Sequence, residues 1–504
     1  MKRREIRKLL VANRGEIAMR VIRGARLLGI KTVAVYSEAD AKSPHVALAD
    51  EAVAIGPAEP AQSYLNATAI LSAAQITGAD AIHPGYGFLS ERPEFASAVH
   101  QAGINFIGPP ADVMAALGDK IAARKIAERA RVPVVPGIES GHPAEIHAFA
   151  SRVGYPVLIK ASAGGGGLGM RVVEAESQLE SALEAASRQA KAAFGDGRVF
   201  VEKYLPRPRH VEVQILGDLH GNVVALGERD CSIQRRHQKI VEESPAPSLS
   251  EATRAKMIDA AISLGRAAGY SGAGTVECLV DGDDFYFLEV NARLQVEHPI
   301  TEIRFGCDLV VEQIRIAEGE KVMDPRTPIG CAIECRINAE DAAHNFRPSS
   351  GPVMHLSVPA GPGVRFDTYL VDGLEIGTSY DSLLGKMITH GATREEARLR
   401  MASALGEFSL LGVTSTAAFL HDVVASEPFR RADLSTHFIE EFFAGWRPAP
   451  DGEDLDAALI AGALAASGFF GTRGARAAAK ANGGAPTRRS PWDDLAGFQP
   501  WRAR

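Results

Sequence analysis

The sequence predicts a multidomain chain of the α/β and α+β classes. An N-terminal parallel-sheet domain leads into a strand-rich centre with a glycine-rich flap, and a mixed α+β domain follows. Three observations carry this. The first hundred residues alternate short apolar strands with amphipathic helices, a strand–glycine run–strand sequence comes next, and strands predominate beyond residue 200. At about 150 residues per domain, 504 residues suggest roughly three domains.

In order, Arg7 to Ala12 reads as a strand, Glu16 to Leu28 as a helix and Thr32 to Tyr36 as a strand. A helix at Leu65 to Ile76, a strand at Asp80 to His83, a helix at Pro93 to Ala102 and a strand at Asn105 to Ile107 complete the alternation. Such spacing indicates a parallel sheet covered on both faces. A helix from Asp119 to Ala130 leads to a strand at Pro156 to Lys160, the glycine run and a strand at Met170 to Val173, and alternating runs such as Val211 to Ile215 follow. The expected boundaries are 1–115, 116–330 with the flap at about 136–203, 331–446, and a tail at 447–504 that is Ala-rich and helical over Leu455 to Ala466.

Composition excludes several classes. With 55 Lys+Arg against 62 Asp+Glu, the basic excess of a nucleic-acid binder is absent. No apolar run approaches the about 18 residues of a membrane helix. The opening apolar run, Leu9 to Ala12, is shorter than the about 7 residues of a signal core, so a cytoplasmic location is expected. Five cysteines without a CxxC pair read as reduced packing residues.

Gly164 to Gly169 satisfies GxGxxG, but the β-branched run after it is no dinucleotide-binding helix, and no Lys-Ser or Lys-Thr follows for a phosphate loop of the Walker type. What remains is a flap whose Cβ-free backbone approaches phosphates closely, with Lys160 on its entering strand.

Two strand-like runs, Thr275 to Val280 and Phe285 to Asn291, flank an Asp/Gly turn. With the turn centred on Asp283, Glu277 lies opposite Glu289. Opposed carboxylates repel at Cβ separations of about 4.5–5.5 Å, and a divalent cation between them reverses the sign. If the extended run persists, Glu289, Asn291, Arg293, Gln295 and Glu297 share one face. The run Asp230 to Lys239 adds cations suited to phosphate and a small anion.

Several long motifs then stand in one order: VANRGEIAMRVIRGARLLGI, HPGYGFLSE, IKASAGGGGLGM, EKYLPRPRHVEVQ, DCSIQRRHQKIVEESPAP, LEVNARLQVEHPITE, ECRINAED and SYDSLLGKMI. Over residues 4–446 the chain resembles the biotin carboxylase family of the ATP-grasp superfamily. The resemblance implies a Rossmann-like N-terminal domain, an ATP-grasp domain with a mobile lid and a mixed C-terminal domain. It also implies the reaction: MgATP (or MnATP) and bicarbonate form carboxyphosphate, whose CO₂ passes to N1′ of biotin on a carrier protein.

By the same resemblance Lys120 and Lys160 are phosphate-binding lysines and Gly166 and Gly167 the lid contact. Glu202, Lys203, Tyr204 and Leu205 form the adenine-reading hinge, and His210, Gln234 and His237 complete the nucleotide pocket. Glu277 and Glu289 are the metal ligands, with Asn291 beside them. Lys239, Arg293, Gln295 and Val296 form the bicarbonate site, Glu297 is the general base, and Arg336 stabilises the biotin enolate.

The sequence departs from the family where Leu168 replaces a lid Lys or Arg, and no Met-Lys-Met biotin acceptor occurs, so the biotin carrier is expected in trans beside a separate carboxyltransferase. The resemblance further implies a homodimer, with acetyl-CoA and then propionyl-CoA as final acceptor. The tail cations Arg473, Arg476, Lys480, Arg488 and Arg489 are candidates for docking a partner. Two other readings compete: another ATP-grasp carboxylate ligase, and a non-catalytic scaffold.

Overall fold

A computed structural model describes residues 5–139, 142–161, 170–195, 197–448 and 459–464. Gly166, Gly167, Leu168 and the five tail cations lie outside the described residues. Residues 1–447 and 448–504 form two units; in the second, residues 459–464 are helical. No helix among the described residues is long and apolar enough to cross a membrane.

The first sheet is parallel, with strands β1 (Lys8–Val11), β2 (Lys31–Ser37), β3 (Glu51–Gly56), β4 (Ala81–His83) and β5 (Asn105–Phe106) in the order β3-β2-β1-β4-β5. β1 crosses its middle, and Leu9, Leu10 and Val11 are wholly buried because helices cover both faces. The helix Gly15–Leu27 follows β1 immediately, with Glu16 in its first turn. Strand β3 is not legible in the sequence: Glu51 and Ala52 are exposed, so this edge strand lacks an apolar run.

A second, four-stranded antiparallel sheet holds the flap: β6 (Gly137–Glu139), β7 (Val157–Ala161), β8 (Arg171–Val173) and β9 (Val199–Lys203), in the order β6-β9-β7-β8. As the spacing requires, β7 and β8 flank the glycine run and pair with each other.

The third sheet carries the site. It is antiparallel and runs β14 (Asp284–Asn291), β13 (Gly272–Asp281), β10 (Arg209–Gly217), β11 (Val223–Arg235), β12 (Gln238–Ser244), β15 (Cys331–Asn338), then Leu383–Gly391 and Val364–Thr368. It passes residue 331 without a break, because β12 pairs directly with β15. On β10, Val211, Val213 and Ile215 enter the core, which leaves His210, Glu212 and Gln214 on the opposite face.

The hairpin corrects two expectations. Its turn is Gly282-Asp283, closed by Asp281 opposite Asp284, rather than centred on Asp283. A register shift between Glu277 and Cys278 makes good the difference: Cys278 faces Phe287, yet Glu277 faces Glu289, leaving Leu288 as the extra residue of a β-bulge. The core phase changes accordingly, from Phe285 and Phe287 to Val290 and Ala292. Without the bulge Glu289 would share the core face of Phe287. The second correction concerns length. Strand β14 ends at Asn291, and 292–297 form a loop leading to the helix His298–Phe305, so the five polar residues do not share one strand face.

Candidate active site

Four charged side chains lie in one row across neighbouring strands: Arg229 on β11 faces Glu212 on β10, Glu212 faces Glu277 on β13, and Glu277 faces Glu289 on β14. Three carboxylates this close repel one another unless cations intervene. Arg229 is one such cation. Fully buried, it uses all five N–H donors: Nε on Glu212 (2.6 Å), Nη1 on Gln214 (2.7 Å) and Thr301 (3.0 Å), Nη2 on Thr275 (3.1 Å) and Gln295 (2.8 Å). A planar fork with five donors suits a dry site in a way no ammonium does.

Lys239 is the second. Its Nζ donates to Glu212 (2.6 Å), Glu277 (2.7 Å) and Glu297 (2.8 Å). Burial opposes the charge, but those three carboxylates hold the ammonium well above the ordinary lysine range. In turn, against burial, Lys239 and His210 hold Glu277 well below the usual carboxylate range. Glu289 behaves oppositely: burial and the Glu277 charge push its carboxyl up. A raised carboxyl facing a lowered one marks a place for further positive charge, and an all-oxygen set of Glu277, Glu289 and the Asn291 amide suits a hard divalent cation such as Mg²⁺. Asn291 also donates to Glu277 through Nδ2 (2.8 Å).

The loop after β14 brings its residues to the same place by another route. Gln295 bonds Glu277 through Nε2 (2.9 Å), and Arg293 donates to Asn291 Oδ1 and Glu91 Oε2 (2.8 Å each). Glu297, buried at the start of the helix His298–Phe305, lies between Lys239 and Arg336, the latter at 3.0 Å. Burial would raise its carboxyl, yet Lys239, Arg336 and Arg229 hold it well below the usual range. Arg336 also donates from Nε to Glu242 (2.6 Å).

Lys239, Glu277, Glu289, Asn291, Arg293, Gln295, Glu297 and Arg336 line a cleft of about 1330 Å³, with Arg229 and Glu212 buried behind them. Lys160, Glu202, Lys203, Tyr204, Leu205, His210, Gln234 and His237 share it. Lys160 pairs with Glu202, and Gln234 Nε2 lies 2.8 Å from His210 Nδ1, whose Nε2 is 3.0 Å from Glu277. Lys120 begins the helix Lys120–Arg129, and its charge acts on Glu289. His237 sits with Arg236 in a two-residue turn between β11 and β12, both at positive φ (65° and 49°), a conformation that side chains rarely adopt. Sequence reasoning misses Glu212 and Arg229. Their signal is the polar phase of the run Val211 to Ile215 and a buried arginine on the next strand.

The paired strands β7 and β8, which bring Lys160 to a cleft where a second lysine stands among facing carboxylates, define an ATP-dependent ligase of the ATP-grasp class. Family models match in succession: biotin carboxylase, N-terminal domain, over residues 5–114; carbamoyl-phosphate synthase L chain, ATP binding domain, over 119–324; and biotin carboxylase C-terminal domain over 334–441. The chain belongs to the biotin carboxylase family, the component of biotin-dependent carboxylases that carboxylates biotin. It is 50% identical over 442 residues to the biotin carboxylase of Haemophilus influenzae, covering 86% of this chain and 98% of that one. It is 48% identical over 442 residues to the biotin carboxylase of Pseudomonas aeruginosa, again covering 86% of this chain and 98% of that one. The biotin carboxylase–βγ-ATP complex from Campylobacter jejuni superposes with a TM-score of 0.83 at 44% identity, over 87% of this chain and 99% of that one.

Proposed function

We propose that the chain catalyses the first half-reaction of an acyl-CoA carboxylase, acting on biotin carried by a separate protein. The observation that carries this reading is Glu297 held between Lys239 and Arg336 beside the Glu277–Glu289 pair. Lys160 and Lys120, with the flap backbone, would hold the ATP phosphates, and residues 202–205 the adenine. Glu277 and Glu289, with Asn291 beside them, would hold Mg²⁺, which neutralises charge on the phosphate oxygens.

Bicarbonate is a poor nucleophile. Lys239, Arg293, Gln295 and Val296 would hold it in line with the γ-phosphate while Glu297 takes its proton, forming carboxyphosphate and ADP. Lys239, Arg336 and Arg229 make Glu297 a weak base until substrates bind. Bicarbonate recruits Lys239 and the biotin ureido oxygen recruits Arg336, so the substrates themselves raise the basicity of Glu297. The C–O bond of carboxyphosphate would then break to give CO₂ and phosphate; that phosphate would take the N1′ proton while Arg336 stabilises the negative charge on the ureido oxygen, and N1′ would attack CO₂. Carboxyphosphate hydrolyses readily, so the flap would exclude water.

The carrier and carboxyltransferase would be separate chains, and the enzyme a homodimer of the cytoplasm. Acetyl-CoA is the first acceptor to test and propionyl-CoA the second. The test is ADP release with free biotin, with and without bicarbonate. We expect release to require bicarbonate and rise with biotin, with labelled bicarbonate appearing in carboxybiotin. ADP release that instead demands an amine would favour another ATP-grasp ligase, and failure to bind MgATP would favour a scaffold.

A further inference from the structure

Three stretches that carry the family resemblance have no part in the chemistry above: those around Glu16, Tyr86 and Lys386. The fold brings them together beneath the loop that holds Gln295, Val296 and Glu297. Lys386 lies on the strand Leu383–Gly391 with no exposed surface. Its Nζ donates to the carbonyl of Val296 (3.0 Å) and pairs with Glu16 Oε2 (3.2 Å). Tyr86 donates its hydroxyl to Glu16 Oε1, and its ring centroid is 5.8 Å from the ammonium. In register, Lys386 stands between Arg336 on β15 and Asp367 on the strand Val364–Thr368.

A buried ammonium is costly unless fully partnered, and a methionine would fill this space without that cost. The arrangement does one thing a methionine would not. The Val296 carbonyl belongs to the peptide that leads into Glu297, so a charged donor fixed on it sets the backbone from which Glu297 projects. Glu16 in turn fixes the ammonium, and Tyr86 fixes Glu16, from the helix Gly15–Leu27 and the loop after β4. Three separate parts of the chain thus converge on one peptide of the proposed bicarbonate site.

We infer that Lys386 is a positioning residue for bicarbonate, holding the Val296–Glu297 peptide through a buried Tyr86–Glu16–Lys386 relay. This rests on the reading of Val296 and Glu297 given above. The test compares steady-state constants for bicarbonate and ATP in the full-length wild type, Lys386→Met and Tyr86→Phe. Lys386→Met should raise the bicarbonate KM at least tenfold and lower kcat, with the ATP KM within twofold of wild type. Tyr86→Phe, which leaves the ammonium in place, should raise the bicarbonate KM two- to fivefold in the same selective way. A merely structural role would move both KM values together. Equal rises, or a bicarbonate KM within twofold of wild type, would overturn the inference. If Lys386→Met does not fold, Tyr86→Phe decides by the same criterion. A wild type without bicarbonate-dependent ADP release would sink the functional reading and this inference with it; an active wild type beside an unaltered bicarbonate KM in the variants sinks the inference alone.

Discussion

Arg229 and Glu212 meet at 2.6 Å on adjacent strands, and neither side chain exposes any surface to solvent. The pair anchors the carboxylate row at the end away from Glu289 and also holds Gln295. Removing one partner of such a pair leaves an uncompensated charge in a dry place. Arg229→Met should therefore destabilise the fold by about 3–5 kcal/mol, read as a lower midpoint in chemical denaturation. Arg229→Lys keeps the charge but has three donors for five acceptors, so it should fold and raise the bicarbonate KM. A wild-type midpoint for Arg229→Met would mean that the network carries no net weight.

Glu289 faces Glu277, and its carboxyl is pushed up by burial and by that neighbour. Glu289→Gln removes a repulsion in the metal-free protein and, on the proposed reading, a ligand in the loaded one. The two effects oppose each other, which makes the outcome specific. Without Mg²⁺ the variant should melt at or above the wild-type temperature, and the Mg²⁺ concentration for half-maximal ATP turnover should rise at least tenfold. Unchanged Mg²⁺ dependence would take Glu289 out of the metal site.

Glu297→Gln keeps an acceptor for Lys239 and Arg336 and cannot accept the bicarbonate proton. General-base catalysis contributes typically 10²–10⁴-fold, so bicarbonate-dependent turnover should fall by about that factor while nucleotide affinity is retained. Equilibrium binding of ATP beside single-turnover ADP formation separates the two. Intact turnover would remove Glu297 as the base.

How far the site can be read from the sequence differs residue by residue. The facing of Glu277 and Glu289 follows from hairpin spacing, although two errors cancel: spacing alone puts the turn half a residue late, and the bulge at Leu288 restores the count. The bulge is legible in the apolar phase, which passes from Phe285 and Phe287 to Val290 and Ala292, but period-2 reasoning assumes that the phase persists. Alternation groups Gln295 and Glu297 with Glu289 on a strand that in fact ends at Asn291; the loop brings them to the site through Arg229 and Lys239, a tertiary cause. Edge strand β3 and the helices Ala111–Gly118 and Glu176–Phe194 escape sequence reasoning. Neither helix has a side-chain N-cap, and a single acidic residue in the first turn, Asp112 or Glu176, is the weaker start signal left.

The environment of Arg336 has its own pH dependence. Burial raises Glu242 to about 7, with Arg336 opposing and Glu297 adding to the rise; Glu334, opposite Glu242 across β12 and β15, is held well above the carboxylate range by burial. Lys239 also acts on Glu242 and lowers it. Below about pH 7 Glu242 is neutral and equivalent to a glutamine toward Arg336. Above it, the ionised carboxylate grips the guanidinium and, with Arg336 in its proposed role, would compete with the developing charge on biotin. In Glu242→Gln that competition is absent at every pH. The ratio of variant to wild-type rate in biotin-dependent ADP release should thus be near unity at about pH 6 and rise two- to fivefold by about pH 8, with its midpoint near the Glu242 value. The sign follows from the direction of the shift: a carboxyl at its ordinary value near 4.5 would be ionised across this whole range and give a flat ratio. A flat ratio, or one that falls with pH, would show that Glu242 is ionised throughout or that its charge aids the step.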